Sequence, residues 1–149
     1  MKKKIVIGII ASTVLAAAVL SVTRAVFPTN VEETQPDHMD EHLRTRRYRT
    51  DPQTFAAEAE KLIPALSTWG GNWKHVSTET TEKFALVKAE VPVVFFTDDL
   101  QIKAEKDPSA ERIFVNVRSS SRVGKSDFGE NRRHVLKILN ALDARFTQN

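Results

Sequence analysis

Leu100-Gln101-Ile102-Lys103-Ala104-Glu105 and Arg112-Ile113-Phe114-Val115-Asn116-Val117-Arg118 are the two stretches that decide the fold. Apolar residues fall at every second position: Leu100, Ile102 and Ala104, then Ile113, Val115 and Val117. An extended chain turns successive side chains to opposite faces, so this alternation spells strands with one buried face. The polar residues 106–110 between them are too few for a helical crossover, which makes the pair antiparallel. Upstream, residues 83–91 and 73–78 read as two further strands joined by the polar turn 79–82.

Outward from these strands the period changes. Asp51 followed by Pro52 is a helix start, an N-cap acceptor before a proline at the first helical position. Phe55, Ala59, Leu62, Ile63 and Leu66 then recur at helical spacing, Pro64 weakens the last turn, and Trp69-Gly70-Gly71-Asn72 ends the element. Residues 43–50, with Tyr48, read as a strand ahead of that helix. Residues 127–146 read as a second helix, with Asp127 and Glu130 at capping-box spacing and a stripe of Val135, Ile138, Leu139, Leu142 and Phe146. The predicted fold class is α+β: an antiparallel sheet of four to five strands with two helices on one face. The arrangement is similar to a small helix-grip fold. Trp69 and Trp73 are expected to close the core near the first helix.

The N-terminus reads as membrane-targeting. Lys2, Lys3 and Lys4 precede an uncharged run of 18 residues, 5–22, rich in Ile, Val, Leu and Ala. As a helix it would span roughly 27 Å, close to one bilayer core. It is longer than the apolar part of a usual signal peptide, and Thr23-Arg24-Ala25 is a poor cleavage site. An uncleaved signal-anchor over residues 1–27 is the preferred reading and a cleaved signal the alternative. The lysines precede the run and acids follow it, so the N-terminus is expected in the cytoplasm. The remainder would be periplasmic, on a single-pass protein of the inner (plasma) membrane.

The chain has 149 residues and a formal charge of +3, which divides unevenly. Residues 1–27 carry +4; residues 28–42, with Glu32, Glu33, Asp37, Asp40 and Glu41 and no Lys or Arg, carry −5; residues 43–149 carry +4. The middle stretch reads as an acidic linker and the last as one globular domain. Its basic excess is local, around Arg44 to Arg49 and Arg118 to Arg133, and an exported domain is not expected to meet nucleic acid. With no cysteine, disulfides, Cys-ligated zinc, iron–sulfur clusters and a thiol nucleophile are excluded.

Motifs with chemical meaning are sparse. His38-Met39-Asp40-Glu41-His42 matches the inverted zincin pattern H-x-x-E-H, but within an acidic, proline-bounded stretch. No metal and no cofactor are expected. Gly124-Lys125-Ser126 ends like a P-loop, yet position 119, where the pattern needs Gly, is Ser119. A basic loop feeding a helix start can still hold an anion on backbone N–H groups. Asp98-Asp99 is a carboxylate pair expected in a polar turn, salt-bridged to Arg118 or Arg122. Ser119, Ser120 and Ser121 lack the G-x-S-x-G elbow of a nucleophile.

Residues 118–135, Arg-Ser-Ser-Ser-Arg-Val-Gly-Lys-Ser-Asp-Phe-Gly-Glu-Asn-Arg-Arg-His-Val, form the most distinctive stretch. It resembles the signature of the domain of unknown function 1499 family of bacteria and plastids. That signature reads approximately R-S-x-S-R-x-G-x-S-D-x-G-x-N, then a basic residue and a helix. The resemblance covers roughly residues 43–148, and Thr97-Asp98-Asp99 looks like the family's other recurrent patch. The family's Pro-Asn-Cys-Val-Ser-Ser stretch is absent here. The resemblance implies a fold and an exported or membrane-associated setting, and brings no established reaction.

Together these readings predict a membrane-anchored periplasmic domain without a catalytic set. It would bind a partner protein or an apolar, lipid-like ligand between the sheet and the C-terminal helix; a filled layer there would leave the partner protein. The binding residues expected are Arg118, Ser119, Ser121, Arg122, Gly124, Asp127, Asn131, Asp98 and Asp99. The alternative is a cell-envelope hydrolase or transferase in which Asp98, Asp99 and the 118–131 loop converge in an open cleft.

Overall fold

The computed structural model describes residues 30–124 and 127–146. Strands β1 (Val31–Glu33), β2 (Arg46–Tyr48), β5 (Lys74–Thr80), β6 (Phe84–Pro92), β7 (Thr97–Lys106) and β8 (Ile113–Ser121) form one six-stranded sheet. Its order is β1-β8-β7-β6-β5, with β2 also paired to β8. Every one of these strand pairs is antiparallel. A small hairpin of β3 (Ser67–Thr68) and β4 (Gly71–Asn72) stands apart. Helices α1 (Pro52–Leu62) and α2 (Glu130–Arg145) complete the α+β fold.

The alternation read from the sequence is what the sheet uses. Ala85, Val87, Ala89 and Val91 of β6, Leu100, Ile102 and Ala104 of β7, and Ile113, Val115 and Val117 of β8 are buried on one face. Both helices cover that face: Phe55, Ala56 and Ala59 come from α1, and Val135, Ile138, Leu139 and Leu142 from α2. Tyr48, Phe55 and Phe146 stack at the far end, ring centroids 5.3–6.2 Å apart. The layer between sheet and helices is thus filled by side chains. A ligand at its centre, as the sequence suggested, is not supported; on that reading a partner protein is left, and a ligand could bind only outside this layer.

Helix α1 begins as expected. Asp51 accepts the Thr54 N–H, Pro52 takes the first position, and Pro64 limits continuation to a single 3-10 turn, Ile63–Ala65. Helix α2 begins three residues later than expected. Glycine 129 holds the N-cap at φ 80°, and Asp127 caps from just outside, accepting the N–H groups of Gly129 (2.9 Å) and Asn131 (2.8 Å).

Three sequence readings are corrected. Residues 28–42 are not a free linker from position 31 onward. Val31–Glu33 pairs with β8, Thr34 is buried, and Thr34 and Thr45 both donate to Asn116 Oδ1. Few apolar side chains lie there, so the stretch has no strand signal; its backbone closes the open edge of β8 instead. The first strand shrinks from residues 43–50 to Arg46–Tyr48, because Asp40 caps a 3-10 turn over Glu41–Leu43. That turn also leaves His38 and His42 off any shared helical face, and no metal-binding cluster occurs among the described residues. Third, Trp73 closes the core but Trp69, at the β3–β4 turn, is 96% exposed.

The predicted anchor, residues 5–22, lies outside the described residues. Among those described, no helix is long and apolar enough to cross a membrane.

Candidate functional site

The sheet's pleat decides where each expected binding residue points. Asp98 and Asp99 do not sit in a turn; they belong to β7, which starts three residues earlier than the alternation suggested. Adjacent strand residues face opposite ways, so the pair is split. Asp99 lies on the outer, half-exposed face, where Arg122 donates to both its oxygens (2.6–3.1 Å) and to Glu90 (2.7 Å). Asp99, then Glu90, holds the guanidinium more firmly protonated than usual. Arg118 is on the same face, beside Glu33 at 3.9 Å. Asp98 is fully buried on the helix face.

Ser119, Ser121, Asp127 and Asn131 also lie on the helix side. Asn131, fully buried, receives the Ser119 hydroxyl (2.6 Å) and donates to Ser121 (3.0 Å) and to the Asn30 carbonyl (2.7 Å). Asn30 in turn donates to the Gly124 carbonyl (2.8 Å). This is a closed network that ties β1, β8 and α2 together. The N–H groups of Gly129 and Asn131, which a bound anion would need, are taken by Asp127. Phe128 is held at φ 55°, a left-handed conformation that a bulky residue rarely adopts. Its side chain is half-exposed. Eight of the nine expected residues therefore divide into an outer ion-pair cluster and an inner structural network, and Asp98 stands apart from both. They do not converge in one cleft as the hydrolase or transferase reading required.

The open cleft lies beside them. A cavity of about 540 Å³ opens at the end of the molecule where α2 begins. Ser67, Thr68 and Trp69 of the hairpin, Val93 and Val94 of the β6–β7 loop, and Glu130, Arg133, His134 and Lys137 of α2 line it. The hairpin is clamped there by Gly70. A Cβ at that position would stand 2.6 Å from the Pro92 carbonyl carbon and 2.7 Å from Val93 O, so only glycine lets the backbones approach. Thr68 donates to the Pro92 carbonyl and Lys137 to that of Ser67.

Beneath the cleft sits a pair the sequence did not single out. His134, 1% exposed, holds Nδ1 3.4 Å from Asp98 Oδ2 and Nε2 3.5 Å from Glu130 Oε2. None of these contacts has hydrogen-bond alignment. Among the described residues, both Asp98 oxygens and both His134 nitrogens lack a hydrogen-bond partner. Trp73 stands edge-on to the imidazole at 6.0 Å. Burial, chiefly, pushes Asp98 up to about 6, with Asp127, Glu130 and Asp99 adding to the rise. The Ser121 hydroxyl, opposite Asp98 across the strands, pulls it back part of the way. Burial pushes His134 down to about 4, against the Glu130 carboxylate. Unsatisfied buried polar groups are costly, so their persistence marks a site or a strain reservoir. The sequence carried one usable signal: His134 lies one helical turn before Ile138, a polar residue on the apolar stripe, and one turn after Glu130.

No curated protein and no solved structure matches the chain. A family model does match over residues 20–142, from inside the apolar N-terminal run almost to the end of α2, and takes in the cleft, the buried pair and the Asn131 network. The chain belongs to the family described as Protein of unknown function (DUF1499).

Proposed function

We propose that this protein is a single-pass, membrane-anchored extracytoplasmic domain that binds an amphiphilic, lipid-like ligand in the cleft above His134. The anchor is the residue 5–22 run, oriented by Lys2, Lys3 and Lys4. The observation that carries the ligand assignment is the lining of the cleft. Trp69, Val93 and Val94 offer apolar surface on one side; on the other, Arg133, ion-paired with Glu130, and Lys137, which also donates to the Ser67 carbonyl, leave a net positive charge. A volume of about 540 Å³ is in the range of small-molecule sites. An acyl chain or similar apolar group would lie along Trp69, with an acidic head between Arg133 and Lys137. His134 lines the floor of the cleft, with Asp98 buried behind it at 3.4 Å. Among the described residues no nucleophile is hydrogen-bonded to His134, which favours binding over catalysis.

The test is native mass spectrometry of the full chain released from membranes into a mild detergent. A one-to-one adduct with an acidic, acyl-bearing mass is expected, weakened by Lys137→Glu. Absence of any such adduct from the wild-type chain would remove the ligand assignment and favour a partner protein.

A further inference from the structure

Three separate loops meet at the end of the molecule where α2 begins. These are the β3–β4 turn, the β6–β7 loop over residues 93–96 and the β8–α2 connection. Among the described residues, eight large hydrophobic side chains are exposed, and six of them belong to these loops: Trp69, Val94, Phe95, Phe96, Val123 and Phe128. Trp69 is 96% and Phe95 93% exposed. Isolated exposed hydrophobics are ordinary, but a cluster drawn from three loops marks an interaction surface.

The position of Asn30 indicates what covers it. β1 runs antiparallel to β8, with Val31 opposite Ser120, so the described chain starts at this same end. The Asn30 carbonyl is fixed there by Asn131 and by the Ser121 N–H. Residues 23–29 separate Asn30 from the apolar run 5–22. Seven residues reach at most about 25 Å even when fully extended. An anchor in the bilayer therefore keeps this end within about 25 Å of the membrane. Tryptophan and phenylalanine are the side chains that settle at the lipid–water boundary.

We propose that the Asn30 end docks on the lipid bilayer, with Trp69 and Phe95 inserted at the headgroup level, so that the cleft opens at the membrane surface. The proposal builds on the anchored reading above and adds to it a second, surface contact. It gives the lipid-like ligand a direct route: Trp69 is both the tip of the inserted turn and a wall of the cleft.

The two tryptophans make the test direct, since Trp73 is buried and Trp69 is exposed. The full chain is reconstituted into phosphatidylcholine–phosphatidylglycerol vesicles with and without brominated acyl chains. Trp69→Phe supplies the Trp73 background, and Trp69→Phe with Phe95→Trp moves the probe to the second loop. The expected result is blue-shifted emission from position 69, and from position 95, that is largely lost in brominated vesicles. Vesicles that float with bound protein whose Trp69 emission stays red and unquenched would overturn the docking and leave the anchor standing. Emission that is blue-shifted but unquenched would also overturn it, assigning the patch to the chain's own apolar run or a second copy. Protein that does not float with vesicles would overturn both readings.

Discussion

Strand β7 has an aspartate at each end, both buried and opposite in character. Asp107, just past its C-terminus, accepts from the Ser109 N–H (2.8 Å), the Ser109 hydroxyl (2.6 Å) and Arg112 (2.7 Å). The Ser109 bonds first, then Arg112, pull it down to about 2. Asp98, at the other end, has no comparable set of partners among the described residues, and burial, only partly offset by the Ser121 hydroxyl, lifts it to about 6. The Asp107 end is a hairpin turn whose buried carboxylate is fully satisfied. The Asn30 end carries the cleft, the exposed aromatics and the unpaired Asp98–His134 contact. A fold that satisfies a carboxylate so completely at one end and not at the other has kept the second end for something besides stability.

Breaking the Asn30 end at its structural network has the largest expected effect. Asn131→Ala leaves the buried Ser119 hydroxyl without its acceptor and removes one of the two donors to the Asn30 carbonyl. Losing buried hydrogen bonds of this kind costs about 1–3 kcal/mol per orphaned group, so chemical denaturation is expected to show the greatest loss here. Gly70→Ala comes next. Its methyl would press on the Pro92 and Val93 backbone, for which overpacking costs typically about 1–3 kcal/mol. The same change is expected to widen the cleft and weaken ligand retention.

At the opposite end, Asp107→Asn is expected to lower stability at neutral pH by less than either change above, through lost charge-assisted hydrogen bonds. Its carboxyl is depressed in the folded state, so its stabilisation is present above the unfolded value of 3.8 and lost as pH falls toward about 2. The variant's deficit should shrink over that window in acid denaturation.

The smallest effect is the most diagnostic of the buried pair. Folded, Asp98 takes its proton near 6 and His134 near 4; unfolded, the ordinary values are 3.8 and 6.5. The folded and unfolded chains thus titrate at almost the same two pH values, on exchanged residues, and the pair's net effect on stability is nearly flat with pH. Removing one member unmasks the other. In Asp98→Asn only His134 remains, held neutral when folded, so stability should fall as pH drops from about 6.5 through 4. In His134→Gln only Asp98 remains, its pKa raised, so stability should fall as pH rises from about 4 through 6. Equal slopes in both variants would show that burial does not shift the two groups in opposite directions.

Much of the fold was legible because it is local. Alternation gave β6, β7 and β8, and the 3.6 period with Asp51-Pro52 gave α1. The strands run longer than the pattern suggested because pairing continues where apolar alternation stops: Asp98 and Ser119 point inward as the core residues do, but as polar groups they carry no hydrophobic signal. Val31–Glu33 was hidden for a related reason, since it contributes backbone pairing and acidic side chains. The 67–72 hairpin, two residues per strand, is too short for any period. The candidate site was legible only in pieces. The 118–131 loop was marked by composition, but its outer and inner halves separate once the pleat is known. His134 was missed because its partner lies 36 positions earlier, brought beneath it by the packing of α2 on the sheet.

Thermal unfolding of Asp98→Asn and Asp107→Asn side by side, at pH 7.5 in the full chain, tests the contrast most directly. Asp98 is then largely ionised, buried and without an aligned hydrogen bond among the described residues, so exchanging it for a neutral amide should leave Tm equal to or above the wild type while Asp107→Asn lowers it. Equal losses in the two variants would mean that both aspartates are structural, and the Asn30 end would have no special standing.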